Sequence, residues 1–212
     1  MSTIKKFTFS PFEENTYIIY DETKEAVIID PGCLAQEEKE KLTSFIKKEN
    51  LQPKALLQTH THLDHVFGSA YVKRNFGIKM YIHQADLPVL ADVENRCKTW
   101  GIPGYEPVEA DAFLQDGDIF SFGNTELKVI WVPGHAPGHI AFINTEDKYI
   151  VGGDCLFNGS IGRTDFPLCS HEDLMKSIRE KFFTLPDDYT VYAGHMADTT
   201  IGFEKKFNPF FN

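Results

Sequence analysis

No stretch of this chain is long and apolar enough to span a bilayer, and Met1 to Phe9 carries no signal-peptide hydrophobic segment. The expectation is a cytoplasmic protein with no membrane partner. Cysteine is sparse. Cys33, Cys97, Cys155 and Cys169 are widely spaced and form no C-x-x-C pair, which argues against a disulfide framework and against a thiolate zinc site. Each reads as a free thiol, buried or partly so. Positive charge is also short: 21 Lys and Arg stand against 31 Asp and Glu, for a formal net charge of −10. Such a balance disfavours nucleic acid or an anionic membrane surface as partner. A small anionic substrate remains allowed, because metal ions in a cleft can reverse the local field.

What is present is ordinary in bulk and unusual in one place. Apolar content of 42% and charged content of 25% are those of a soluble globular protein. There is no internal repeat and no clear linker, so residues 1–212 are expected to form one domain. The unusual place is Thr59-His60-Thr61-His62-Leu63-Asp64-His65, which comes after the apolar run Ala55-Leu56-Leu57. The pattern reads as strand, loop and then a helix from Val66 to Phe76. In an extended loop alternate residues point the same way, so His60, His62 and Asp64 can share one side, with His65 swung to a neighbouring point. Neutral imidazoles and carboxylates are the ligands that borderline divalent metals prefer. Asp64 as a mere helix N-cap and the histidines as solvated loop residues form the competing reading. Three imidazoles crowded this closely gain little from water and much from a cation.

Elsewhere, Ile4 to Phe9, Asn15 to Tyr20 and Ala26 to Ile29 read as a meander of short strands, stopped by Asp30-Pro31-Gly32. Glu37 to Glu49 reads as a surface helix and Lys79 to Ile82 as a strand. From Gln84 to Glu109 periodicity fades, and Asn95 to Pro107, with Trp100 and Tyr105, reads as a long loop able to wall a pocket. Strands resume at Asp118 to Phe122, Glu126 to Trp131, Ile140 to Asn144 and Tyr149 to Val151. The chain then reads as a helix over Glu172 to Phe182, a strand at Thr190 to Tyr192 and a helix around Thr200 to Phe207. Each later strand end delivers a candidate ligand: Pro133-Gly134-His135, Gly153-Asp154 and Gly194-His195. A lone His at a strand end is more often structural. With the first cluster, however, these make five His and two Asp, enough for two metals sharing one carboxylate.

These motifs, with the run Gly159-Ser160-Ile161-Gly162-Arg163-Thr164-Asp165, resemble the metallo-β-lactamase-fold hydrolases, and most of all their short glyoxalase II-like branch. The resemblance implies an α/β fold, an αββα sandwich of two mixed sheets with the metals at one edge. It implies His60, His62 and His135 on one metal, Asp64, His65 and His195 on the second, and Asp154 bridging. His139 is expected to be structural. Two divalent ions, zinc first with iron or manganese as alternatives, would lower the pKa of a bridging water, and the hydroxide would attack a polarised carbonyl. Asp64 can orient that hydroxide or take its proton. The implied reaction is hydrolysis of a thioester such as S-lactoylglutathione. Arg163 stands where the resembled enzymes hold a glutathione carboxylate, although an ion pair with Asp165 is the other reading of that residue.

Two departures from glyoxalase II are expected to matter: the chain is expected to lack a helical glutathione-binding domain after the last His, and Ala197 stands where that enzyme has a tyrosine. Another thioester or thiol conjugate is therefore allowed, for a protein that is a monomer or a homodimer. The main rival is an iron-dependent persulfide dioxygenase on the same fold, using His60, His135 and Asp154. A β-lactamase is less favoured, since such enzymes commonly place Cys where Asp154 stands and are exported. A non-catalytic metal-binding module is the rival from another class.

Overall fold

A computed structural model describes residues 1–212. Runs of β-branched and aromatic residues form the opening meander of β1 (Thr3–Phe9), β2 (Glu14–Tyr20) and β3 (Glu25–Ile29), paired antiparallel. Three parallel pairings extend it through β4 (Gln52–Leu57), β5 (Lys79–Ile82) and β6 (Ala112–Phe113). The crossovers carry α1 (Gln36–Lys48), then α2 (Leu63–Val66) and α3 (Ser69–Phe76), then α4 (Leu87–Thr99). The second sheet runs through β7 (Ile119–Phe122), β8 (Thr125–Trp131), β9 (Ile140–Asn144) and β10 (Tyr149–Gly153). A small hairpin is next, of β11 (Leu156–Phe157) and β12 (Ser160–Ile161). The chain closes with α5 (His171–Ser177), which runs on into a π turn, β13 (Thr190–Ala193), β14 (Thr199–Thr200) and α6 (Ile201–Phe207). The spatial orders are β1-β2-β3-β4-β5-β6 and β14-β13-β10-β9-β8-β7.

Alternation along the strands builds the layers. Tyr17, Ile19, Val27, Ile29 and Leu57 face Leu127, Val129, Phe142 and Val151 between the sheets. Their neighbours Ile18, Ile28, Leu56 and Met80 face Leu42, Ile46, Val72 and Val93 on the helices outside the first sheet. Ile130, Ile143, Ile150 and Val191 face Leu174, Ile178 and Phe182 outside the second. The result is the expected αββα sandwich, and burial on both faces explains why the central strands β3, β9 and β10 read as near-continuous apolar runs.

Two local expectations are corrected. The segment from Gln84 to Glu109 is not without structure, because α4 occupies Leu87–Thr99 and the loop begins only after Thr99. Pro88, a residue that would break a helix interior, sits in the first turn, where a missing N–H costs nothing. Val89, Leu90, Val93 and Cys97 then form the buried stripe. The helix expected from Val66 to Phe76 is divided, since the Gly68 N–H is drawn out to the Pro31 carbonyl at 2.7 Å.

At one edge the sheets are tied together. The Ile140 N–H donates to the Thr59 carbonyl just after β4 (2.8 Å), and the Asn15 N–H donates to the Gly194 carbonyl just after β13 (2.7 Å). The chain leaves β4, β8, β10 and β13 at this edge, and every candidate ligand lies within eight residues of one of those exits.

Candidate metal centre

The structure brings together all seven residues, His60, His62, Asp64, His65, His135, Asp154 and His195. Donor atoms of His60, His62 and His135 lie within 4.8 Å of one another, as do those of Asp64, His65 and His195. Asp154 reaches both groups. Its Oδ1 is 3.4 Å from His65 Nε2, and its Oδ2 is 3.5 Å from both His135 Nε2 and His195 Nε2. Asp64 Oδ2 is 3.2 Å from His195 Nε2. The expectation that Asp64 shares a side with His60 and His62 is corrected. The extended stretch ends at His62, which caps α2, so Asp64 already lies on helix and turns towards His65 and His195.

Hydrogen-bond partners fix the orientation of the His65, His135 and His195 rings. The Thr59 N–H donates to Asp30 Oδ1 (2.7 Å), and Asp30 Oδ2 lies 3.1 Å from His65 Nδ1. That leaves His65 Nε2 to face inward. His135 Nδ1 donates to the Arg163 carbonyl (2.8 Å) and His195 Nδ1 to the Phe12 carbonyl (3.1 Å), so both present Nε2. Asp86, fully buried, accepts from the Thr61 N–H (2.5 Å) and the Gly138 N–H (2.9 Å), joining the first ligand loop to the loop that carries His135. His139 accepts the Asp154 N–H on Nε2 (3.0 Å) and lies parallel to His60, with ring centroids 4.8 Å apart. It supports the centre from outside, as expected.

Several of the inward atoms lack partners. His60 Nε2, His65 Nε2 and Asp154 Oδ1 are buried without a hydrogen bond, and His62 Nδ1 faces His135 Nε2 at 2.8 Å. Polar groups buried this deeply cost several kcal/mol unless they find partners. Cations would supply those partners, and the donor set of imidazoles and carboxylates suits divalent ions. The local fields agree at the first triad, whereas the carboxylates around the second raise the pKa of His65 and of His195. Burial, with His65 next, pushes His60 well below its ordinary pKa, and burial and His135 push His62 down to about 3. These rings are therefore neutral, as ligation requires. Burial would lower His65 and raise Asp154, but their mutual attraction wins, holding His65 well above and Asp154 well below their usual values. Burial would likewise raise Asp64, yet His65 and His195 hold it down as a carboxylate.

The centre floors a cleft of about 270 Å³, lined by His62, Asp64, His135, Asp154 and His195 below and by Phe12, Leu63, Trp100, Phe157 and Phe166 on its walls. Arg96 and Arg163 complete it. Arg163 is largely exposed and meets both oxygens of Asp165, through Nε at 2.9 Å and Nη2 at 2.7 Å.

The metallo-beta-lactamase superfamily profile matches residues 10–195, which span every one of these side chains. The chain belongs to the metallo-β-lactamase superfamily. It is 40% identical over 203 residues to the hydroxyacylglutathione hydrolase GloC of Haemophilus influenzae, covering 95% of this chain and 94% of that one. In structure it is similar to the BLEG-1 B3 metallo-beta-lactamase, with a TM-score of 0.91 and 34% identity over 99% of this chain and 100% of the other. It is also similar to TTHA1623 in a di-iron-bound form, with a TM-score of 0.86 and 34% identity over 97% and 99% of the two chains. This superfamily member is a metal-dependent hydrolase, and its His/Asp clusters imply divalent ions. No helix in it is long and apolar enough to cross a membrane.

Sequence reasoning missed the supporting residues Asp30, Asp86 and Glu14, and the cleft residues Arg96, Phe12 and Phe166. Asp30 left a signal, since a carboxylate ending a buried strand does more than stop it and must find a partner. Asp30 also takes a left-handed backbone, at φ +49°, which non-glycine residues adopt sparingly. Glu14 is fully buried, with Oε1 unpartnered 4.0 Å from His65 Nδ1, and burial raises its pKa well above the usual range. Nothing local in Glu13-Glu14-Asn15 announces that.

Proposed function

We propose that this protein hydrolyses thioesters of the S-lactoylglutathione kind at a dinuclear centre, with zinc as the first candidate and iron or manganese as alternatives. The observation that carries the reading is Asp154 standing between two complete ligand triads at the floor of a cleft. His60, His62 and His135 would hold one ion, Asp64, His65 and His195 the other, and Asp154 both. Bound there, a pair of divalent ions supplies an acidified water and a Lewis acid for a carbonyl oxygen.

The protein's own groups do the rest. Asp64 lines the cleft and is held as a carboxylate with Oδ2 against His195 Nε2, so that it can accept a proton from the attacking water. Phe12, Trp100, Phe157 and Phe166 restrict solvent around the acyl and thiol parts. Arg163 can exchange Asp165 for a substrate carboxylate at little cost, because an exposed ion pair is weak in water. The 40% identity to a hydroxyacylglutathione hydrolase supports the choice of thioester.

The test is thiol release from S-lactoylglutathione by metal-replete protein. Turnover that disappears in Asp154→Ala is the expected result; intact metal content without thiol release sinks the assignment. In the same assay Arg163→Ala should raise KM for the anionic substrate severalfold while changing kcat little, and an unchanged KM removes Arg163 as an anchor. The likeness to BLEG-1 makes β-lactam cleavage the second activity to measure, with a chromogenic cephalosporin. Faster cleavage of that compound than of any thioester would reverse the order of the two readings.

A further inference from the structure

Phe166 is approached by two guanidiniums. Arg163 Cζ lies 4.3 Å from its ring centroid and Arg96 Cζ lies 5.9 Å from it. All three line the cleft beside Trp100, whose ring is 6.4 Å from that of Phe166. The two arginines differ in what their nitrogens already hold. Arg163 commits Nε and Nη2 to Asp165 and is 63% exposed. Arg96 commits only Nε, to Asp92 one turn earlier on α4 at 2.8 Å, and is 20% exposed. Its two terminal nitrogens make no hydrogen bond within the protein.

Paired terminal N–H groups are the fork that meets a carboxylate in two parallel hydrogen bonds. Asp92 fixes the arginine stem and leaves that fork spare, and the Phe166 ring limits where it can swing. The position is on a helix packed into the core through Val93 and Cys97, which holds such a group more firmly than a loop does. Two cations drawn to a single ring also repel each other, a repulsion that two bound anionic groups would relieve and one would relieve only in part.

We propose that Arg96 is a second anion-binding residue of the cleft and determines specificity, selecting thiols that carry two separated carboxylates, one for Arg96 and one for Arg163. This deepens the thioesterase reading and rests on it for the identity of the substrate. A peptide thiol with free carboxylates at both ends belongs to the selected class. A thiol with one carboxylate does not.

The experiment compares wild-type, Arg96→Ala, Arg96→Gln and Arg96→Lys protein on the lactoyl thioesters of glutathione and of its two monoamides, each lacking one carboxylate. Arg96→Ala and Arg96→Gln should raise KM about tenfold for the dicarboxylate, leave kcat within a factor of two, and have no effect on the monoamide that lacks the Arg96-bound group. Arg96→Lys, which keeps the charge and loses the fork, should fall between. The glutamine variant also serves if the alanine variant folds poorly. An unchanged KM, or an equal rise on all three substrates, overturns the proposal.

A second readout is independent of turnover: titration with S-methylglutathione and its two monoamides, monitored by the fluorescence of Trp100 in the cleft wall. Wild-type protein should bind the dicarboxylate about tenfold more tightly than the Arg96 variants do. That selectivity without thioester cleavage would refute the thioesterase reading and keep Arg96. Cleavage without that selectivity would do the opposite.

Discussion

Asp154 stands at the end of β10, where its backbone N–H is held by His139 and its two oxygens reach three histidines. Replacing it by Asn keeps the shape and removes the charge that draws cations from both sides. Asp154→Asn should therefore fold, yet lose at least one of two metal equivalents, as read by elemental analysis. Retention of both would show that Asp154 is a bystander. Gly194 is tested differently. A Cβ there would run into Asp154 Oδ1 and lie 2.8 Å from His65 Cε1. Gly194→Ala must displace both Asp154 and His65, and it should weaken the second site, which depends on both, more than the first, which shares only Asp154. Equal loss at both sites would mean that the strand end, and not the contact, had failed. Residues of this kind divide sharply in how well they can be read. His60 to His65 declare themselves because four ligands sit in six positions. Arg96 does not, because its significance depends on Phe166, seventy residues away in sequence.

Loops fix these ligands only because buried groups tie the loops to each other. Asp86 precedes α4, and its carboxylate accepts the N–H groups of Thr61 and Gly138. Burial lifts its pKa to about 6, against which those hydrogen bonds pull downward. Asp86→Ala leaves both N–H groups without a partner, at a cost of about 1–3 kcal/mol each. It should also lower metal affinity about 10–100-fold, as loss of an orienting partner commonly does. Chemical denaturation and metal titration of the same variant check both figures; stability lost with affinity unchanged would reduce Asp86 to a structural tie. Regular elements with a strong period, such as α1, β5 and β9, are legible in the sequence within a residue or so. The α4 helix is obscured by Pro88, and the Leu156–Phe157 and Ser160–Ile161 hairpin is too short to carry a pattern.

Across the whole molecule, three apolar cores lie between and outside the sheets, and the ionisable cluster sits at the edge where the strands end. The cores do not need the ions, so chelation should leave the far-ultraviolet dichroism of the protein unchanged. The midpoint of thermal unfolding should still fall. Ligand at about 100 times its Kd contributes about 2.7 kcal/mol, which for a chain of this size is roughly 5–10 °C. A midpoint indifferent to chelator would mean that the buried, unpartnered nitrogens are tolerated without an ion. The layered fold is legible because alternating apolar strands and crossover helices allow few other arrangements. Which edge gathers the ligands is legible only through the resemblance, since spacing alone cannot show that positions 60 and 195 meet.

Anomalous diffraction from crystals of the metal-loaded protein, recorded at the zinc, iron and manganese absorption edges, tests the proposed centre most directly. Two peaks are expected, one among His60, His62 and His135 and one among Asp64, His65 and His195, with Asp154 touching both. A single peak held by His60, His135 and Asp154 alone, or an ion bound without these residues, would contradict it.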